Sequence, residues 1–184
     1  MRKVRLKFSS ISEIVGTEEL GLLTLIDETE TRQLTITCEK EMIRQFEMRV
    51  QRLNVVSRML PEVLWQVVST QTNFDFEIVI SDLIEGQYRA MLVNVETQEA
   101  ISMRASDAIL LSYIGKLPLY IEEGLMLKQS MAYRKGEKGV AIPVNTISDD
   151  MLRSALEKAV ADENYELASH LRDELRKRSE DRKR

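Results

Sequence analysis

From Ala100 to Ile121 the chain reads A-I-S-M-R-A-S-D-A-I-L-L-S-Y-I-G-K-L-P-L-Y-I, and its hydrophobic period changes from strand to helix and back. Ala100 to Met103 alternates as a strand edge does. Ser106 and Asp107 supply a helix N-cap and a first-turn acid, and Ala108 to Tyr113 is an apolar helix that Gly115 is expected to stop. The next strand, Leu117 to Ile121, carries Pro118, which cannot donate to a ladder; the strand is thereby confined to a sheet edge, or the proline to its first positions. Glu122-Glu123-Gly124 ends it. Any fold for this chain has to accommodate a strand–helix–strand unit of this form.

The rest of the chain supplies elements of both periods. Val4, Leu6 and Phe8 alternate with Arg5 and Lys7 as a half-buried strand with a basic outer face. A polar connection is expected over Ser9 to Glu19, then strands at Gly21 to Asp27 and Leu34 to Cys38 with a turn at Glu28 to Thr31. Glu39 to Leu53 takes helical spacing, with Met42, Phe46, Val50 and Leu53 on one face. Pro61 opens a second helix in which Trp65 is expected to be a core anchor. Phe76 to Asp82 and Tyr88 to Val95 form an antiparallel hairpin through Leu83 to Gln87, and Leu125 to Tyr133 adds a last strand or short helix. The fold class is therefore α+β, a mixed and mostly antiparallel sheet with packed helices, followed by a C-terminal helical hairpin. Expected domain limits are 1–130 for the main domain, 131–147 for a linker and 148–184 for the hairpin and a charged tail. Within the linker Val140 to Val144 reads as a short extended piece, and Ser148 opens the hairpin as a cap.

That hairpin has a clean pattern: Leu152, Ala155, Leu156, Ala159 and Val160 on one helix face, a break at Asp162 to Asn164, then Leu167, Ala168, Leu171 and Leu175 on the next. A hairpin of this size does not bury its apolar faces alone and is expected to meet a partner or another copy. The mixed-charge run Arg176 to Arg184 reads as a frayed, solvated tail.

Charge and composition narrow the function. A net charge of −4 argues against a broad basic footprint for nucleic acid, and 5% aromatic residues limit base-stacking platforms. Cys38 is the sole cysteine, which excludes an internal disulfide and a multi-cysteine zinc site. No apolar run approaches a bilayer span, and the basic N-terminus alternates instead of continuing into an apolar signal region; the expectation is a cytoplasmic protein with no membrane partner. The one histidine, His170, lies in the hairpin, so a histidine-based acid/base mechanism is not available to the main domain by itself. Gly-rich phosphate loops are absent from the sequence.

R-A-S-D-A-I-L-L-S followed by G-K-L-P-L-Y-I and an acidic pair resembles the signature of the bifunctional nuclease domain family, over roughly Val4 to Leu127. Arg104, Ser106, Asp107 and Ala108 match; Ala105 stands where the family has Pro, and Ser102 where it has an acid. Arg58 and Leu60 match its second motif, while Met59, Pro61, Glu62 and Val63 depart from it. The C-terminal E-N-Y-E-L-A-S-H-L-R-D-E-L resembles the UVR motif of the UvrB and UvrC repair proteins, which serves protein contacts.

These resemblances imply a nuclease hydrolysing DNA or RNA phosphodiester bonds, with a UVR hairpin for a protein partner or self-association as a homo-oligomer. Arg104, Ser106 and Asp107 are then the catalytic candidates. Since carboxylates holding Mg²⁺ or Mn²⁺ are the chemistry left open, Asp107, Asp82, Glu85 and Glu122, with Glu123 beside it, are the candidate metal ligands. Tyr165, Glu166, Leu171 and Arg172 are the candidate partner contacts. The same residues also have a structural account, in which Ser106 caps the helix, Asp107 complements its dipole and Arg104 pairs with Asp107 or Glu122. The alternative function is a non-catalytic scaffold that recruits a partner through the UVR hairpin.

Overall fold

The computed structural model describes residues 2–13, 20–135 and 149–181. The chain divides into two compact units, Met1–Asp82 with Tyr88–Lys138 and Leu83–Gln87 with Gly139–Arg184. In chain order the elements are β1 (Lys3–Glu13), β2 (Leu20–Asp27), β3 (Arg32–Glu39), α1 (Lys40–Val50), a 3₁₀ turn (Asn54–Arg58), α2 (Leu60–Gln71), β4 (Phe76–Ile84), β5 (Gln87–Asn94), β6 (Ala100–Arg104), α3 (Ala105–Gly115), β7 (Leu119–Glu122), α4 (Glu123–Gln129), β8 (Met131–Ala132), α5 (Asp149–Ala161) and α6 (Tyr165–Asp181).

The eight strands form one mixed sheet in the order β6-β5-β4-β7-β1-β2-β3-β8. β4 and β7 pair in parallel, while β1 with β2 and β7, β2 with β3, β3 with β8, and β5 with β6 pair antiparallel. β7 is a central strand, so Pro118 does not mark an edge. It stands just before the first residue of β7, where it needs no ladder bond, and its carbonyl accepts the Ile78 amide at 2.8 Å.

The connection from β6 through α3 to β7 passes over β5 and β4. α3 touches β6 and also β3, six places away in the sheet order. Six strand spacings span about 29 Å in a flat sheet, far beyond the width of one helix. The sheet therefore coils around α3 and brings its distant strands to the same helix. α3 suits that place because it is apolar on most sides, with Ala105, Ala108, Ile109 and Leu110 all buried. The fully buried Phe46 of α1 stacks on Phe8 of β1 at 4.8 Å, and Tyr113 of α3, on the exposed side, meets both rings edge-on.

Several expectations are corrected here. Ser9 to Glu13 continue β1 beyond a bulge between Phe8 and Ser10 instead of forming a connection; Ile14 to Glu19 lie outside the described residues. On α1 the buried face is Met42, Ile43, Phe46 and Arg49, and Val50 and Leu53 are exposed. Arg49 can turn inward because Glu62 takes its Nε and Nη2 at 2.7 and 2.8 Å, leaving Nη1 to Gln45. α2 buries no residue fully; Leu60, Val63, Leu64 and Val67 are exposed, and Trp65 is half-buried against Phe76. The β4–β5 turn is tighter than Leu83 to Gln87, with Glu85 and Gly86 both at positive φ, 52° and 77°, as a two-residue hairpin turn requires. Leu125 to Tyr133 contributes both a helix, α4, and a short strand, β8. Of the expected linker, Met131–Ala132 is β8, and residues 136–148, including the extended piece and the Ser148 cap, lie outside those described.

Gly115 is the last residue of α3 and does not itself make the turn. Lys116 takes the left-handed conformation, φ 53°, and Leu117 N–H reaches back to the Ser112 carbonyl at 3.1 Å. Glycine is needed at 115 because a Cβ there would stand 2.7 Å from the Trp65 ring.

In the second unit α5 and α6 form an antiparallel hairpin around Leu152, Ala159, Ala168 and Leu171, with Ala155, Leu156 and Leu175 packed beside them. Asn164 caps α6 through the Leu167 amide at 3.3 Å. Arg176 to Asp181 belong to α6 instead of fraying. Arg178 is the reason: it is mostly buried and pairs with Asp149 and with Glu174, each at 3.0 Å.

Two outcomes test this packing. Gly115→Val lowers stability by about 1–3 kcal/mol, and Trp65→Leu in the same chain recovers part of that loss in a double-mutant unfolding cycle. Asp27 is nearly buried. Burial pushes its carboxyl up, but the amides of Arg32 and Thr31 and the hydroxyls of Thr29 and Thr31 outweigh it and hold the group at about 2, below its ordinary 3.8. Its contribution, roughly 2 kcal/mol, is complete only above about pH 5 and is lost mainly as pH falls from about 3.8 towards 2. Asp27→Asn should flatten the stability curve in that window.

Candidate functional site

The matched signature residues lie where β6 passes into α3. Arg104 is the N-cap of α3 with extended backbone, φ −64° and ψ 142°, and no side chain makes a capping hydrogen bond there. Ser106 is thus inside the first turn and is not the cap. Arg104 and Asp107 close the turn instead: the guanidinium donates to both carboxylate oxygens, from Nε at 2.6 Å and from Nη2 at 3.2 Å. Its remaining arm, Nη1, reaches Glu39 at 3.3 Å. The hydrogen bond to Asp107, and then its charge, push the Arg104 pKa still higher.

Glu39 ends β3, 65 residues before Arg104. No local pattern marks it; the coiling of the sheet around α3 places it there. Arg104 and Glu39 are well exposed, and Asp107 is about one-third exposed. The cluster holds one cation between two carboxylates, reachable from solvent.

The other expected ligands stand elsewhere on the chain. Glu122 pairs in register with Lys3 at the end of β7 and forms the N-cap of α4, with Glu123 in that helix's first turn. It therefore does not partner Arg104. Asp82 is on β4 and Glu85 is at the hairpin turn. Among the described residues, no group of three or more His, Cys, Asp or Glu side chains is arranged to hold a metal ion. A ready-made cage is absent from that part of the chain. Two hard oxygen donors at one exposed point, Glu39 and Asp107, suit only an ion that a substrate's own oxygens would help to hold.

The hairpin divides its candidate contacts. Leu171 is buried within the hairpin's own cluster and is not presented to a partner. Tyr165, Glu166 and Arg172 are exposed, Tyr165 to 68%, and His170 is exposed as well.

A second feature was not anticipated from the sequence. Arg49, Arg52, Arg58 and Glu62 line an open pocket of about 720 Å³ with Tyr113 and Ile114 of α3. Its sequence signals are Arg49, a charged residue at helical spacing from Met42 and Phe46, and Arg58, which matches the family's second motif.

The fold and these features define an α+β domain carrying an exposed arginine–carboxylate cluster and followed by a helical hairpin. The chain belongs to the bifunctional nuclease domain family, whose model matches residues 23–134, more than half of its 184 residues. A UvrB/uvrC motif matches residues 151–179, so both resemblances are confirmed in their order along the chain. No curated protein matches it. Among the described residues, no helix is long and apolar enough to cross a membrane.

Because the Arg104–Asp107 pair is solvent-exposed, removing it is inexpensive. Asp107→Asn and Arg104→Gln should each change unfolding free energy by no more than about 1 kcal/mol. A larger loss in denaturant titration would mean that the pair is chiefly structural.

Proposed function

We propose that this chain is a cytoplasmic nuclease that acts on DNA or RNA phosphodiester bonds at the Arg104–Asp107–Glu39 cluster. The observation that carries the reading is that the family's own Arg and Asp stand at an exposed point with a second carboxylate beside them. Arg104 is planar, permanently charged and able to grip a phosphate through two donors once it exchanges Asp107 for substrate. That exchange would free the carboxylate of Asp107 to orient a water beside the phosphorus. Glu39 and Asp107 are the residues that would hold Mg²⁺ or Mn²⁺ together with the substrate. Such an ion supplies charge neutralisation and a more acidic water. Ser106, half-buried in the first turn, would position the Asp107 backbone. Asp82, Glu85 and Glu122 would lie outside this site. In the hairpin, Tyr165, Glu166 and Arg172 form the exposed face for a protein partner or for self-association into a homo-oligomer.

A second reading has its own support. Arg104 is already neutralised by two acids, which suits a non-catalytic scaffold that recruits a partner through the UVR hairpin.

Purified chain incubated with labelled single- and double-stranded DNA and RNA, with Mg²⁺, Mn²⁺ or chelator, decides between them. The nuclease reading expects metal-dependent cleavage that falls about 100-fold or more in Arg104→Gln and in Asp107→Asn. Cleavage that persists in Asp107→Ala refutes the site, and absence of cleavage with every metal and substrate leaves the scaffold.

A further inference from the structure

β5 carries a second arginine beside the Arg104 cluster. In the antiparallel ladder of β5 with β6, Arg89 stands directly opposite Arg104. Residues so paired leave the sheet on the same face, with Cβ atoms about 5 Å apart. That face is the outer one at Arg89, which is exposed, while Tyr88 and Ala90 on either side of it are 6% and 0% exposed. The next pair on the same face, Met91 with Ser102, brings no charge. Like charges directly opposite each other destabilise a strand pair, and among the described residues no ion pair relieves Arg89.

Arg104 is in the opposite condition. Its Nε and Nη2 donate to Asp107 and its Nη1 to Glu39, so its donors are committed. One cation held by two carboxylates leaves these three side chains with a net negative charge, which repels a phosphate. Arg89 brings the four side chains to neutrality, and its guanidinium is the uncommitted one.

We infer that Arg89 makes the first contact with the substrate phosphate and holds it against the cluster while Arg104 exchanges Asp107 for it. The chemistry rests on the nuclease reading; the contact itself does not, and Arg89 lies outside the motif residues that match the family. A guanidinium donates to two phosphate oxygens at once. An anion shared by Arg89 and Arg104 also removes the repulsion between them. The two arginines therefore divide the work: Arg89 binds the substrate as it arrives, and Arg104 acts after its carboxylate has been displaced.

Steady-state cleavage of labelled DNA and RNA oligonucleotides by the full chain separates these roles. Arg89→Gln should raise KM about tenfold or more and change kcat far less, whereas Arg104→Gln should act chiefly on kcat. The slope of log KM against log salt concentration should fall by about one in Arg89→Gln, and Arg89→Lys should restore the slope but only part of the affinity. Since Arg89→Gln removes a like-charge contact, it should unfold at no lower temperature than the native chain. Fluorescence anisotropy of the same oligonucleotides in chelator reads the contact without cleavage, and Arg89→Gln should weaken binding by the same factor. Native binding that Arg89→Gln loses, with no cleavage under any metal, would overturn the nuclease reading and sustain the contact. Cleavage with KM and binding unchanged in Arg89→Gln would overturn the contact and leave the nuclease. A lower unfolding temperature with unchanged binding would make Arg89 a fixed part of the sheet, and a native chain that neither binds nor cuts would overturn both.

Discussion

One apolar helix sets the form of the main domain. α3 buries Ala105, Ala108, Ile109 and Leu110, and a helix with so little polar surface requires cover on more than one side. A flat sheet covers only one. Coiling an eight-stranded sheet until both β6 and β3 reach the helix satisfies that need. The remaining contacts follow from it. Tyr113 meets Phe8 and Phe46 from one side, while the Trp65 ring lies where a side chain at 115 would project. The N-terminal end of α3 brings Arg104 to Glu39. Both places with chemistry to offer are thus consequences of how the sheet closes on one helix.

The two arginine–carboxylate pairs at this helix have opposite physical roles. Arg49 and Glu62 are nearly withdrawn from water, with side-chain exposures of 3% and 16%. Loss of either partner would strand a charge, at a cost of about 3–5 kcal/mol. Such a pair is a fixed part of the wall. Arg104 and Asp107 are far more exposed, and an exposed pair contributes about 1 kcal/mol or less. It can exchange a carboxylate for a phosphate at small expense. Distance alone would rank the pairs as equals, since the shortest contacts are 2.7 and 2.6 Å; burial separates them.

Most elements were legible because their signals are local. Alternation marked β1, short apolar runs marked strands such as β2, and the changes of period around Arg104 found the β6–α3–β7 unit. What was missed depends on contacts distant in sequence. Glu39 joins Arg104 only after the sheet coils. On α1, Val50 and Leu53 lost the inner face to Arg49 because Glu62, thirteen positions on, pairs with it. A local pattern prices an arginine as exposed unless its partner is known. The C-terminal charged run has the same explanation: Arg178 finds Asp149 on the neighbouring helix, 29 residues away, and helix continues where composition alone implied fraying. Ser106 failed as a cap for a different reason. The ion pair of Arg104 with Asp107 closes the first turn, and the N-cap falls two residues earlier, at Arg104.

The departures from the family signature can be sorted in the same physical terms. Ala105 occupies the first helical position of α3, directly after the N-cap. Proline is favoured there because its missing N–H has no helical partner to lose, so alanine in its place preserves the backbone that presents Arg104 and Asp107. Glu62 is a different kind of departure. It has become the buried partner of Arg49, and in that role its charge is neutralised at the pocket that Arg52 and Arg58 also line. One substitution leaves the signature's geometry intact, while the other alters the electrostatics of a neighbouring cavity. The signature therefore specifies the form of the β6–α3 junction more tightly than it specifies chemistry.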